Sequence, residues 1–139
     1  VMEVKTGEIR AISNLTRQGE GYGENFNYAV RGLYEPGSTF KLVTMMALLE
    51  DTDVHLSDQI NTGNGVHTFY NIKVRDHEKG GLGVVSVQTA FEHSSNIAMS
   101  KLADKHFGSK PQRFLEIVDN LKMSTPRLPY IMQLRMMVK

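Results

Sequence analysis

The sequence contains no cysteine. It can therefore form no disulfide and offers no thiolate to a metal, and its composition carries no redox signature. Net charge is almost absent: 16 Lys and Arg against 15 Asp and Glu leave +1. That balance gives no reason to expect nucleic acid or an acidic surface as a partner. Long hydrophobic runs are missing too. The longest apolar stretch, around Leu42 to Leu49, falls far short of the roughly 20 residues that span a bilayer, and no signal-peptide pattern opens the chain. The five histidines (55, 67, 77, 93 and 106) show neither H-x-x-x-H nor carboxylate pairing at metal spacing. They are read as surface or loop residues, and no metal is expected on them. What remains is a chain of 139 residues, 40% hydrophobic, able to bury the core of one ordinary domain.

Local signals give a coarse plan. Lys5-Thr6-Gly7 lies between the alternating pairs Met2/Val4 and Ile9/Ala11, which predicts a hairpin turn. Asn14 to Asn25 reads as a polar, mobile loop. Its Gly19-Glu20-Gly21-Tyr22-Gly23 lacks G-x-G-x-x-G spacing, a preceding buried strand and a lysine, so phosphate binding is not supported. A central helix is predicted from Ser38 to Glu50, with Met45 and Met46 in the core. Extended pieces are expected around Ile60, Thr68–Tyr70 and Ile72–Arg75, punctuated by Gly63, Gly65, Gly80 and Gly81. Three further helices follow: Val87–Glu92 capped by Ser86, Ile97–Phe107 closed by Gly108, and Pro111–Leu121 with its apolar residues at helical spacing. Asp51 and Asp53 read as solvated carboxylates.

Two short motifs carry chemistry. Ser38-Thr39-Phe40-Lys41 follows Glu35-Pro36-Gly37 and opens the central helix. Pro36 stiffens the approach, and Gly37 can take backbone angles that other residues resist. Positions three apart share a helix face, so Lys41 should lie over Ser38 with Nζ within about 2.6–3.2 Å of Oγ. A partly desolvated, neutral lysine can take the proton that makes a serine nucleophilic. The helix start also offers N–H groups and partial positive charge to an oxyanion. Alternatively, Ser38 is simply a helix N-cap.

The second motif, Ser94-Ser95-Asn96, sits at the junction of two predicted helices. It puts a hydroxyl that can relay a proton and an amide that can hold a substrate carbonyl on one loop. The same string is also ordinary capping chemistry. His93, just before it, can tune such a site or merely cap and pack.

The order S-x-x-K then S-x-N resembles the transpeptidase domain of the penicillin-binding proteins, serine acyl-transferases that cross-link bacterial cell wall. Arg31-Gly32-Leu33-Tyr34-Glu35-Pro36-Gly37-Ser38-Thr39-Phe40-Lys41 is most similar to the monofunctional, division-type members. Asn27-Tyr28-Ala29 resembles the family's N-x-A stretch, and the segment from Val4 to Ile12 its opening hairpin. Gly83–Gln88 and Ser94–Ala103 resemble the helices around its second motif. The likeness runs from about Val1 to about Met123, with 124–139 as a divergent or truncated tail.

The resemblance implies an α+β fold of the serine β-lactamase/penicillin-binding transpeptidase type: a mixed antiparallel sheet with a helical subdomain, here incomplete. It implies Ser38 as nucleophile, Lys41 as its base, Ser94 as proton relay and Asn96 as substrate anchor. Implied ligands are peptidoglycan stem peptides and β-lactam antibiotics. Implied partners are cell-division and wall-synthesis proteins reached through the full-length parent. The implied location is the cell envelope, on the extracytoplasmic face of the inner membrane, held by an anchor not in this chain. The family's third element, K-[ST]-G, lies after S-x-N. The one K-T-G here, Lys5-Thr6-Gly7, precedes the nucleophile and is assigned no catalytic role. Two rivals stay open: a class D-like β-lactamase, which shares S-T-F-K but usually has S-x-V where Asn96 stands, and a penicillin-binding or scaffold module without turnover.

Overall fold

A computed structural model describes residues 1–31 and 35–121. The end of the likeness near Met123 and the tail at 124–139 lie outside the described residues. So does the Gly32-Leu33-Tyr34 part of the approach to Ser38. The chain divides into two units, one from Val1 to Glu35 and one beginning at Pro36.

The first unit is built from short local pairings. Met2 and Ile9 form an antiparallel bridge. The bend between them places Gly7 at φ +74, with its N–H donating to Glu3 O at 2.8 Å. Lys5-Thr6-Gly7 is therefore turn chemistry. Where a mobile loop was expected, strands β1 (Thr16–Gln18) and β2 (Gly21–Gly23) pair antiparallel, Thr16 opposite Gly23. Gly19 at φ +59 makes the reversal, a conformation glycine adopts without side-chain strain. A single turn, α1 (Tyr28–Arg31), closes the unit.

In the second unit a 3-10 turn, Gly37–Thr39, runs into helix α2 (Phe40–Asp51). Then come β3 (Gln59–Asn61), β4 (Val66–Phe69), β5 (Ile72–Arg75) and β6 (Val84–Ser86). Helices α3 (Val87–Glu92), α4 (Asn96–Phe107) and α5 (Pro111–Asn120) follow. β3 pairs with β6 and β4 with β5, both antiparallel. The fold class is α+β, its strands forming separate two-stranded ladders among the described residues. Val84–Ser86, whose likeness pointed to helix, is strand. Its β-branched valines pair with Ile60 and Asn61.

The core lies where α2, α3, α4 and α5 meet. Val43, Ala47 and Leu48 of α2 pack with Val87, Ala90, Ala98, Leu102, Phe107, Phe114 and Val118. Phe114 stacks its edge against Phe40 and Phe107, at centroid distances of 6.4 and 5.3 Å, near the favoured range for aromatic pairs. Met45 is buried there, but Met46 is 39% exposed. Leu42, Met46 and Leu49, spaced four and three apart, are exposed together on one side of α2.

Three other expectations change. His106 is largely covered rather than at the surface: its side chain is 12% exposed and its Nε2 has no partner among the described residues. Asp51 is ion-paired rather than simply solvated. Arg113 Nε reaches both its oxygens at 3.0 and 2.9 Å, joining the end of α2 to α5 and holding the carboxyl below the usual carboxylate range. Gly108 ends α4 in right-handed geometry at φ −57, not in a left-handed cap. It is needed for space, because a Cβ there would collide with Asp104 O.

One close approach positions the site. Gly81, at φ +71, crosses the 63–65 turn so tightly that a Cβ would strike the Gly65 N. That contact brings the turn leading into β4 against the segment leading into β6. Asp76, the residue after β5, is tied into the same crossing by its N–H to Gly65 O at 3.0 Å.

Candidate active site

Gly37 sits at φ +56, and this left-handed residue lets the chain swing from Pro36 into the 3-10 turn. Ser38 occupies the middle of that turn and is exposed. Side chains three apart in 3-10 geometry eclipse one another, so Ser38 and Lys41 share a side of the helix start. Thr39, not Ser38, bonds back: its Oγ1 donates to Pro36 O.

The expected Ser38–Lys41 hydrogen bond is not present. The Ser38 hydroxyl has no partner among the described residues. Lys41 Nζ donates instead to Ser94 O and, at 2.9 Å, to Ser94 Oγ. The physical reason is competition: a carbonyl and a hydroxyl on a fixed loop are better-placed acceptors than a serine on an exposed first turn. Burial pushes the Lys41 ammonium below its ordinary value, and the negative charge of Asp76 works against that shift.

The Ser94 loop is the C-terminus of α3. Ser94 N–H donates to Phe91 O at 2.9 Å and Ser95 N–H to Ala90 O at 2.8 Å. These are the two bonds of a Schellman ending. The residue at its left-handed position is usually glycine, but here it is Ser94, at φ +53. A non-glycine residue there is strained, and the strain puts a hydroxyl in contact with Lys41. The sequence therefore breaks a local rule at the residue that meets Lys41. We expect Ser94→Gly to raise the melting temperature, or leave it unchanged, by relieving about 1 kcal/mol of strain. The same change should lower the rate of any Lys41-dependent reaction. A variant that melts lower and reacts at the parental rate would show that the hydroxyl is structural only.

Ser95 turns the other way. It is 1% exposed, and its Oγ accepts from Ala98 N at 3.0 Å as the N-cap of α4. Asn96 begins α4, and its Nδ2 donates to Arg75 O at 2.7 Å. One of the two amide donors expected to hold a substrate carbonyl is therefore already committed. Its Oδ1 is unpartnered among the described residues and suits a substrate N–H. His93 pairs with Glu78 at 3.0 Å, with both side chains about half exposed.

Asp76 was missed in the sequence. It receives Ser95 Oγ–H at 2.9 Å and Ile97 N–H at 3.0 Å. Its only local signal was a carboxylate just after a strand, and no spacing links position 76 to 95. No group of three or more metal-ligating side chains occurs among the described residues, and none of their helices is long and apolar enough to cross a membrane.

The structure thus brings Lys41, Ser94 and Asn96 to one place around the α3–α4 junction, with Ser38 one turn before Lys41. The S-x-x-K and S-x-N motifs of the sequence therefore meet through Lys41 and Ser94. The family model for the penicillin binding protein transpeptidase domain matches residues 1–129. The chain is 28% identical over 127 residues to penicillin-binding protein PbpB of Mycolicibacterium smegmatis, covering 85% of this chain and 19% of that protein. It is 32% identical over 103 residues to penicillin-binding protein 1A/1B of Bacillus subtilis, covering 73% and 11%. It is 31% identical over 81 residues to stage V sporulation protein D of the same organism, covering 58% and 12%. The chain therefore spans about a fifth or less of the length of these relatives. No solved structure matches. With the matching model covering most of the sequence and the two motifs meeting in space, the chain belongs to the penicillin-binding protein transpeptidase family.

Proposed function

We propose that this chain carries the nucleophile half of a peptidoglycan D,D-transpeptidase site used in septal wall synthesis. The observation that supports it best is the grip of Lys41 on the Ser94 hydroxyl and carbonyl, beside the helix start that holds Ser38.

In the proposed reaction, Ser38 Oγ bonds to the carbonyl carbon between the last two D-alanines of a stem peptide. Its proton passes to neutral Lys41 Nζ. The C–N bond breaks, and a proton moves from Lys41 through Ser94 Oγ to the leaving D-alanine nitrogen. An amine of a neighbouring stem peptide then attacks the acyl-enzyme, forms the new amide and returns the proton to Ser38. Backbone N–H at the start of the helix supplies one oxyanion donor. Asn96 anchors the substrate's amide backbone. A β-lactam enters the same path: its ring C–N bond opens, the acyl group stays on Ser38, and no acceptor amine can clear it. The site of action is the extracytoplasmic face of the inner membrane, in company with division and wall-synthesis proteins.

Peptide mapping after reaction with a fluorescent penicillin tests this reading. We expect the adduct on the peptide that contains Ser38. An adduct elsewhere, or rapid drug hydrolysis with no stable adduct, would sink it, the second outcome in favour of a β-lactamase.

A further inference from the structure

We infer that Asp76 is a positioning residue for the acyl transfer proposed above: its carboxylate fixes the loop that carries Ser94 and Asn96 in the arrangement Lys41 grips. The inference rests on that reading of Ser38 and Lys41.

Two consecutive residues at the end of β5 bind three consecutive residues at the start of α4. Arg75 O accepts Asn96 Nδ2 at 2.7 Å. Asp76 Oδ1 accepts Ile97 N–H at 3.0 Å and Ser95 Oγ at 3.1 Å, and Oδ2 accepts the same hydroxyl at 2.9 Å. Bonds to an ionised acceptor are shorter and stronger than neutral ones, and a negative charge at a helix N-terminus is favoured by the helix dipole. Ser94 adjoins this clamp in a left-handed conformation, φ +53. Such a residue persists only where its surroundings over-determine it. On one side the ending of α3 does so, and on the other Asp76 does.

The same carboxylate acts on Lys41, opposing the effect of burial. Some other charged groups on the neighbouring segments have partners of their own. His93 and Glu78 pair with each other at 3.0 Å, and Lys101 donates to Asn61 O at 2.8 Å. Asp76 thus has two effects to separate: geometry, through its hydrogen bonds to Ser95 and Ile97, and charge, through Lys41.

The test uses the full-length gene product, with fluorescent penicillin labelling rates followed across pH. Asp76→Asn keeps an acceptor but loses the charge. We expect its plateau rate to fall roughly tenfold or more, as misplacement of catalytic groups does. Its rising limb should also move to lower pH, because Lys41 loses the charge that favours its protonated form. Asp76→Glu keeps the charge; its limb should stay near the parental position while its plateau falls. A merely structural role would reduce the amount of folded protein but leave the rate per folded molecule and the limb unchanged. Folded Asp76→Asn with parental plateau and limb overturns the proposal. So does failure of both variants to fold, which would make Asp76 a folding determinant only. Ser38→Ala separates the two levels. Labelling that survives it sinks the serine reading itself, whereas loss of labelling alongside a parental Asp76→Asn profile sinks only the role of Asp76.

Discussion

Ser38→Ala is expected to abolish penicillin labelling, and Lys41→Ala to slow acylation of Ser38 by roughly 10²–10⁴, the usual contribution of a positioned base. A serine hydroxyl is a weak nucleophile until a base removes its proton. Lys41 is suited to that task because burial lowers its pKa, so less alkaline conditions deprotonate it. The sign follows directly. In the proposed mechanism the neutral form is the base, so acylation is expected to rise with pH along a limb whose midpoint lies below the ordinary lysine value of 10.5. Below that midpoint a charged Lys41 has no lone pair to accept the serine proton, and the proposed base is off. The residual rate of Lys41→Ala should lack this limb. Full-length protein, stopped labelling reactions and rates taken across pH make the measurement. Retention of the parental rate and limb in Lys41→Ala would assign the base elsewhere.

The comparison of this chain with a version extended through a K-[ST]-G segment gives the second large difference. We expect the extended protein to label at Ser38 roughly 10²–10³ faster, the loss typical of one missing oxyanion donor. The family resemblance implies that this segment also binds the substrate carboxylate, so the difference should grow for stem-peptide substrates. The present chain exposes Leu42, Met46 and Leu49 together on α2, an apolar stripe of the kind that invites association. We therefore expect it also to aggregate more readily than the extended protein. Equal labelling rates in the two proteins would mean that the segment is dispensable for acylation.

Much of this was legible from local chemistry. Ser86 caps α3 and accepts from Thr89 N at 3.0 Å. Pro111 opens α5. Lys5-Thr6-Gly7 is a turn, and Gly37 takes the positive φ that the bend before Ser38 demands. Each follows from a side chain acting on its own few neighbours, where propensity and capping rules apply directly. The failures share the opposite cause. Val84–Ser86 is strand because Gln59–Asn61 is there to pair with it, across a gap no local pattern encodes. Met46 faces outward although its sequence setting matches that of Met45, because the helix has one buried side and Met46 lies off it. Asp51 looked like a solvated carboxylate until α5 delivered Arg113 to it.

The sequence by itself determined the candidates: Ser38 and Lys41 one turn apart at a helix start, and Ser94 with Asn96 at a helix junction, each by residue type and spacing. Only the tertiary structure decided what those residues touch. Lys41 meets Ser94 across 53 positions and forgoes Ser38. Asn96 spends a donor on Arg75, and Asp76 enters from the end of a strand to hold the loop. Hydrogen-bond partners are chosen by proximity and by competition among acceptors in the folded chain. Both are set by how α2, β5 and α4 pack, which no single stretch of sequence specifies.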